Sequence, residues 1–257
     1  MKNANKLKNK LKERKVTIGS WLQIGNPAVT EIMAESGFEW LVVDLEHSVI
    51  GLSETQVLFQ IIQAFDVTPL VRLSKNDATQ IKRVMDAGAA GIIVPNVNSA
   101  GEAQEAVANT KYPPLGKRGV GLARAQRYGL EFDKYKNWAN KNSIVIVQIE
   151  HIDAVDNLEE ILQVDGVDAS IIGPYDLSAS LGFPGEFDKK IVKNAIDKYI
   201  KVCKKLKKPA GIHVIKPDFR KVEPRIKQGF NFIAFSLDAL FLADKCQHEL
   251  SKRKVAR

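Results

Sequence analysis

Residues 144–176, IVIVQIEHIDAVDNLEEILQVDGVDASIIGPYD, hold one complete strand–helix–strand step. The run 144-IVIVQIE is brief and almost wholly apolar, the pattern of a parallel strand covered on both faces. From His151 the periodicity is helical, and it stops at Gly166, where glycine suits a left-handed C-cap. A second apolar run, 170-SIIGP, follows, and each run gives way to a carboxylate, Glu150 or Asp176.

The same step recurs on both sides. The runs 17-TIGSWL, 40-WLVVD, 69-PLVRL and 91-GIIVP precede it, and 209-PAGIHVI and 230-FNFIAFS follow. Gly37, Gly88 and Gly229 mark further helix-to-strand joints, and Asn26-Pro27, Ser53-x-x-Gln56 and Asp77 mark helix starts. Eight strand candidates joined by helices predict the α/β class and a single (β/α)8 TIM barrel. An open doubly wound sheet would carry fewer strands, and the chain has no glycine-rich dinucleotide turn. The stretch 3-NANKLKNKLKERK predicts a capping helix outside the barrel, with Leu7 and Leu11 facing inward. The expected organisation is one domain over 1–257, with 1–16 as the N-terminal helix and 17–257 as the barrel. From Asn96 to Asn142 the spacing allows a helix, the excursion 112-YPPLGKRGVGLARAQRYG and a short further helix; long irregular loops in compact domains are usually functional.

Composition narrows the function. The chain is 45% hydrophobic and 26% charged, ordinary for a globular protein with one large core. The net charge of +8 is concentrated in Lys2 to Lys15, Lys198 to Lys208 and Lys252 to Arg257, with no aromatic-plus-basic platform, which argues against nucleic acid. No apolar run is long enough for a signal peptide or a membrane span, so a cytoplasmic location without a membrane partner is expected. Cys203 and Cys246 lie in helix-like patterns without a metal or redox motif, and are expected as free, mostly buried thiols.

Barrel enzymes build their sites from residues at the C-terminal ends of the strands. Here those positions are Trp21, Asp44 with nearby His47, Arg72, Pro95, Gln148 with Glu150, Gly173 with Asp176, and His213. Glu150 and Asp176 end neighbouring strands roughly 5 Å apart, so they repel unless a cation or a proton lies between them. Oxygen ligands without cysteine favour magnesium or manganese; the alternative is that either carboxylate caps a helix. The Arg72 fork suits a substrate carboxylate or an enolate oxygen, or else an internal ion pair with Asp44. Asp44 orients Arg72 or His47, or caps the next helix. His47 is either an acid–base group or structural. After 170-SIIGPYDLS turns into a helix, the N–H groups of Tyr175 and Asp176 are available to a substrate carboxylate. His151 and His213 are ambiguous from sequence: His151 is expected on the helix after Glu150, and His213 is a candidate to face the mouth from strand seven.

Six ordered motifs, 40-WLVVDLEH, 71-VRLSKND, 85-MDAG, 112-YPPLGKRGVG, 147-VQIE and 172-IGPYDLS, resemble the HpcH/HpaI aldolase family from about Gly19 to the last strand. That family belongs to the phosphoenolpyruvate/pyruvate barrel superfamily. The resemblance implies a class II aldolase that reversibly cleaves a 4-hydroxy-2-oxo acid to pyruvate and an aldehyde through a metal-stabilised enolate. It implies Glu150 and Asp176 as ligands of Mg2+ or Mn2+, with Co2+ also possible. Arg72 would hold the ketone or enolate oxygen, with Asp44 among the catalytic residues, and Gln148 would lie beside the substrate. His47 would be the acid/base, oriented by Asp86 across a subunit contact. The Gly173, Pro174, Tyr175 and Asp176 turn would take the carboxylate, and Trp21 would line the pocket. Homo-oligomers, hexamers or trimers of dimers, with the last helix swapped onto a neighbouring barrel, are implied as well.

Two features depart from the family pattern, the shorter loop 119-GVGLARAQRYG and Tyr175. Arg118, Arg124 and Arg127 in or beside that loop are expected either to meet an acidic aldehyde or to form surface or inter-subunit ion pairs. A Schiff-base route is disfavoured, because Lys75 and Lys216 fall in loops. The alternatives are a citrate-synthase-like or citryl-CoA-type lyase or synthase, which shares the enolate, and a catalytically silent barrel acting as a binding protein.

Overall fold

In the computed structural model, which describes residues 2–253, each apolar run becomes a strand. These are β1 (Thr17–Leu22), β2 (Trp40–Asp44), β3 (Thr68–Arg72), β4 (Gly91–Val94), β5 (Ile144–Ile149), β6 (Ala169–Ile172), β7 (Ala210–Val214) and β8 (Phe232–Leu237). They pair in chain order, all parallel, and β8 closes on β1. The helices are α1 (Lys2–Lys12), α2 (Pro27–Glu35), α3 (Leu52–Ala64), α4 (Ala78–Ala87), α5 (Ala100–Thr110), α6 (Phe132–Asn142), α7 (Ile152–Asp156), α8 (Leu158–Gln163), α9 (Pro174–Ser180), α10 (Lys190–Lys205), α11 (Val222–Gln228) and α12 (Asp238–Ser251).

The local signals work as physical chemistry requires. Asn26 caps α2 by accepting from the N–H of Ala28 and Val29, and Asp77 caps α4 through the N–H of Gln80. Gly88 closes α4 at φ +117, a conformation that a side chain would strain. One start shifts. The third helix begins at Leu52 rather than around Ser53, and its first turn is closed by Glu54 accepting from Gly51 N–H at 2.7 Å. The periodic stretch after His151 is two short helices meeting at Asn157.

Inside the barrel, Trp40 stacks on Phe232 with ring centroids 4.2 Å apart. Gly19 makes room for this, since a Cβ there would lie 2.0 Å from the Trp40 ring. Leu7 and Leu11 of α1 are buried in the same cluster and plug the barrel's N-terminal end. Burying two leucines stabilises that cap by about 3–6 kcal/mol. Cys203 is buried as expected, but Cys246 is exposed, because α12 leaves the barrel surface after its first turn.

Candidate active site at the C-terminal mouth

Strand register creates the first part of the site. Asp44 and Arg72 are paired positions on β2 and β3, so their side chains leave the barrel together. Arg72 Nε donates to Asp44 Oδ1 at 2.9 Å and Nη2 to Oδ2 at 2.6 Å, a two-pronged pair with Asp44 fully buried. The guanidinium lies 4.5 Å from the centroid of the Trp21 ring. Gln23 Nε2 donates to Asp44 Oδ2 at 2.9 Å. Burial pushes the Asp44 carboxyl up, but the bond and charge of Arg72, together with Gln23, outweigh it and leave the group below its ordinary value. Thus the ion pair read as an alternative for Arg72 exists, and it clamps the guanidinium at the mouth. N–H groups remain on both Nη atoms.

The second part lies across the mouth. Glu150 Oε1 accepts from Asn96 N–H at 2.6 Å, and Oε2 accepts from the Gln148 amide. Gly173 keeps the space in front of Glu150 open: a Cβ there would stand 3.2 Å from Glu150 Oε2 and 3.7 Å from Asp176 Oδ2. Two carboxylates therefore flank one small space. Burial raises the Glu150 carboxyl above its ordinary value, and the Asp176 charge adds to the rise against the Gln148 and Asn96 bonds. A cation between them would relieve both effects, and the donors are hard oxygens, so the residues fit a divalent metal. Among the described residues no group of three or more His, Cys, Asp or Glu is placed to hold a metal, so an ion here would have these two carboxylates as its protein ligands.

Gly173 N–H is already bonded to Ile149 O at 2.9 Å, and Pro174 has no N–H. The expected four-residue cradle is therefore reduced to the N–H groups of Tyr175 and Asp176.

Glu46 was not anticipated. It sits two residues beyond the β2 end, and its Oε2 is buried 3.2 Å from Arg72 Nη1 without a well-formed hydrogen bond. Burial holds its carboxyl up to about 7, opposed by Arg72 and assisted by Glu150, Asp44 and Asp176. A carboxyl whose folded value is raised contributes most below its unfolded value near 4.5 and loses that contribution as pH rises through about 7. With a chelator present, the melting temperature of the wild type relative to Glu46→Gln is expected to fall by several degrees between about pH 4.5 and 7. A rise of that difference over the same window would contradict the assignment.

Other expected residues are distributed differently. His47 is bound through its backbone N–H to Asp44 Oδ1 at 3.2 Å, while its imidazole is 63% exposed with Nε2 3.9 Å from Glu46 Oε2. Asp86, near the end of α4, pairs with Arg118 at the opposite, N-terminal end of the barrel. The 112–129 excursion packs there too, so within one chain it does not shape the mouth. Arg118 is fully buried between Tyr112 and Tyr135, not on the surface. Arg124 donates to Ala87 O and Gln63, and exposed Arg127 pairs with Glu131. Arg127 thus forms a surface ion pair, Arg118 forms a buried one within the chain, and Arg124 bonds neutral partners. His151 caps α7 by accepting from Asp153 N–H. Lys75 and Lys216 are exposed.

Trp21, Arg72, Gln148, Asp176 and His213 line one cavity of about 1480 Å³, which continues from the mouth between α10 and α11. Preformed donors, a carboxylate pair and an open cavity can bind an oxo acid and stabilise charge that develops on its oxo oxygen.

Residues 17–244 match the family described as HpcH/HpaI aldolase/citrate lyase. The chain is 40% identical to the hydroxypyruvate/pyruvate aldolase of Sagittula stellata, over 93% of both chains. It is 35% identical to the 2-keto-3-deoxy-L-rhamnonate aldolase of Escherichia coli, covering 98% of this chain and 94% of that protein. Among solved structures, an HpcH/HpaI aldolase/citrate lyase family protein from Burkholderia cenocepacia superposes with a TM-score of 0.91 at 30% identity, covering 96% of this chain and 98% of that one.

Proposed function

The chain belongs to the HpcH/HpaI aldolase/citrate lyase family and is a carbon–carbon lyase of the pyruvate aldolase type; from that premise we propose how its mouth performs the reaction. The substrate is a 4-hydroxy-2-oxo acid, cleaved reversibly to pyruvate and an aldehyde. What carries this reading is that the clamped Arg72 guanidinium and Asp176 line one cavity, with Glu150 facing Asp176 across the space at Gly173.

A divalent ion held by Glu150 and Asp176, magnesium or manganese with cobalt a further candidate, would supply Lewis acidity at the 2-oxo group. Arg72 binds the 2-oxo oxygen and opposes the negative charge that grows there as the C3–C4 bond breaks. Asp44 and Trp21 hold the guanidinium in place, so little reorganisation is needed during the reaction. Gln148 fixes the Glu150 carboxylate and faces the substrate. Tyr175 and Asp176 offer backbone N–H groups to the carboxylate of the oxo acid. His47 takes the proton from the 4-hydroxyl in cleavage and returns it in synthesis, and Asp86 of a second copy orients it.

The enzyme is proposed to be cytoplasmic and a homo-oligomer, a hexamer in which α12 lies on a neighbouring barrel. Leu242 and Leu250 on that helix are 59% and 71% exposed, an apolar surface that a second copy would cover. Among the described residues no helix is long and apolar enough to cross a membrane.

The reading is tested by following pyruvate release from a 4-hydroxy-2-oxo acid with magnesium or manganese and after chelation. Release that is unchanged by chelation would exclude it. His47→Ala is expected to slow cleavage by about 100-fold, while exchange of the pyruvate methyl protons changes only a few-fold. Equal losses in the two reactions would remove His47 from proton transfer at the hydroxyl.

A further inference from the structure

His213 takes no part in the chemistry proposed above, yet it stands in the reacting cavity. It projects from β7 at the mouth, with its ring centroid 5.8 Å from that of Trp21. Its Nε2 is 3.1 Å from Ser236 O. A carbonyl oxygen can only accept, so Nε2 carries the proton and Nδ1 carries a lone pair. Among the described residues Nδ1 has no hydrogen-bond partner, and it is not among the sealed, unsatisfied atoms, so it opens onto the cavity. Burial, with help from the Arg72 charge, holds the imidazole down to about 4, so it is neutral at physiological pH.

The polar side chains around it are of a different kind. Arg72 is a donor with N–H groups left on both Nη atoms, while the Trp21 indole N–H is sealed and does not reach the cavity. Asp44 and Glu46 are engaged by Arg72, while Glu150 and Asp176 form the metal pair. A neutral acceptor beside the Arg72 donor complements a group that both gives and takes a hydrogen bond. Carboxylates, ketones and aldehydes cannot give one; an aliphatic hydroxyl can do both.

We infer that His213 is a specificity residue whose Nδ1 accepts a hydrogen bond from a substrate hydroxyl adjoining the reacting carbons. The inference rests on the pyruvate aldolase reading of the same mouth. The hydroxyl has two possible sources: C3 of the oxo-acid donor, as in hydroxypyruvate, or the α-carbon of the aldehyde, as in glycolaldehyde. The competing role is structural, with the imidazole only tying β7 to the end of β8 through Ser236 O.

Two substitutions separate these roles. His213→Leu removes both nitrogens. His213→Asn keeps an amide oxygen near the position of Nδ1 but is too short to reach Ser236 O. With the manganese-loaded enzyme, kcat/KM is measured for hydroxypyruvate against pyruvate with one fixed aldehyde, and for glycolaldehyde against acetaldehyde with pyruvate. The wild type is expected to prefer the hydroxylated member of at least one pair. His213→Leu should reduce that preference by about tenfold, the scale of one lost hydrogen bond, while the unhydroxylated substrates stay within about twofold. His213→Asn should retain most of the preference even if its melting temperature falls. The pair that moves identifies the source of the hydroxyl.

Unchanged ratios for both pairs in His213→Leu would overturn the inference. Equal losses on hydroxylated and unhydroxylated substrates would also overturn it, in favour of the structural tie. Calorimetric binding of hydroxypyruvate and pyruvate to the same three proteins keeps the two readings apart. A binding preference lost in His213→Leu supports the inference even where pyruvate proton exchange is absent and the aldolase reading fails. Exchange that persists with no change in either ratio removes His213 alone.

Discussion

Glu150→Gln is expected to lower kcat/KM for aldol cleavage at least about a thousandfold, the equivalent of roughly 4 kcal/mol of lost transition-state stabilisation. Glutamine keeps an oxygen for the Asn96 N–H and nearly the same volume, and its NH2 can donate to Gln148 once that amide turns over, so the fold should survive. What it removes is charge. One carboxylate of the pair around Gly173 becomes a neutral amide, and affinity for a divalent cation should fall with it. Since burial and Asp176 disfavour the Glu150 anion in the metal-free protein, the variant should melt no lower than the wild type in chelator. Calorimetric titration with manganese and melting curves read both effects. Retained activity, or lost activity with unchanged metal affinity, would contradict the ligand assignment.

Arg72→Met is expected to affect stability and catalysis together. Methionine fills much of the space but leaves Asp44, 0% exposed, without its counterion. Removing one partner of a buried ion pair costs about 3–5 kcal/mol, which lowers the melting temperature by about 10 °C in a chain of this size. Cleavage should fall by at least about a hundredfold, because a donor to the developing oxyanion is lost. Adding Asp44→Asn removes the stranded charge, so the double variant should recover much of the stability and none of the activity. Recovery of activity in the double variant would show that Arg72 serves only the internal pair.

The barrel was legible because each of its signals is local. Short apolar runs, Asn26 and Asp77 at helix starts, and glycines at left-handed joints need only their own neighbours in sequence. The strand-end residues were legible for the same reason, as Asp44, Arg72, Gln148 and Glu150 lie where parallel strands must stop. Glu46 was missed because it lies past the strand end and becomes a site group only when Arg72 arrives from β3. The cradle was overestimated because the ladder bond from Gly173 to Ile149 depends on the register of β5 with β6. Arg118 read as a surface or aldehyde-binding residue. Its burial between Tyr112 and Tyr135 comes from the excursion folding back under α4, which no local periodicity encodes.

The central claim is that the carboxylate pair and Arg72 together stabilise a pyruvate enolate in a metal-dependent way. Its most direct test is exchange of the pyruvate methyl protons for deuterium, followed by nuclear magnetic resonance without any aldehyde present. Exchange is expected with magnesium or manganese, and should be lost both after exhaustive chelation and in metal-supplemented Glu150→Gln. Exchange that continues at the same rate in the metal-free wild type would contradict the claim.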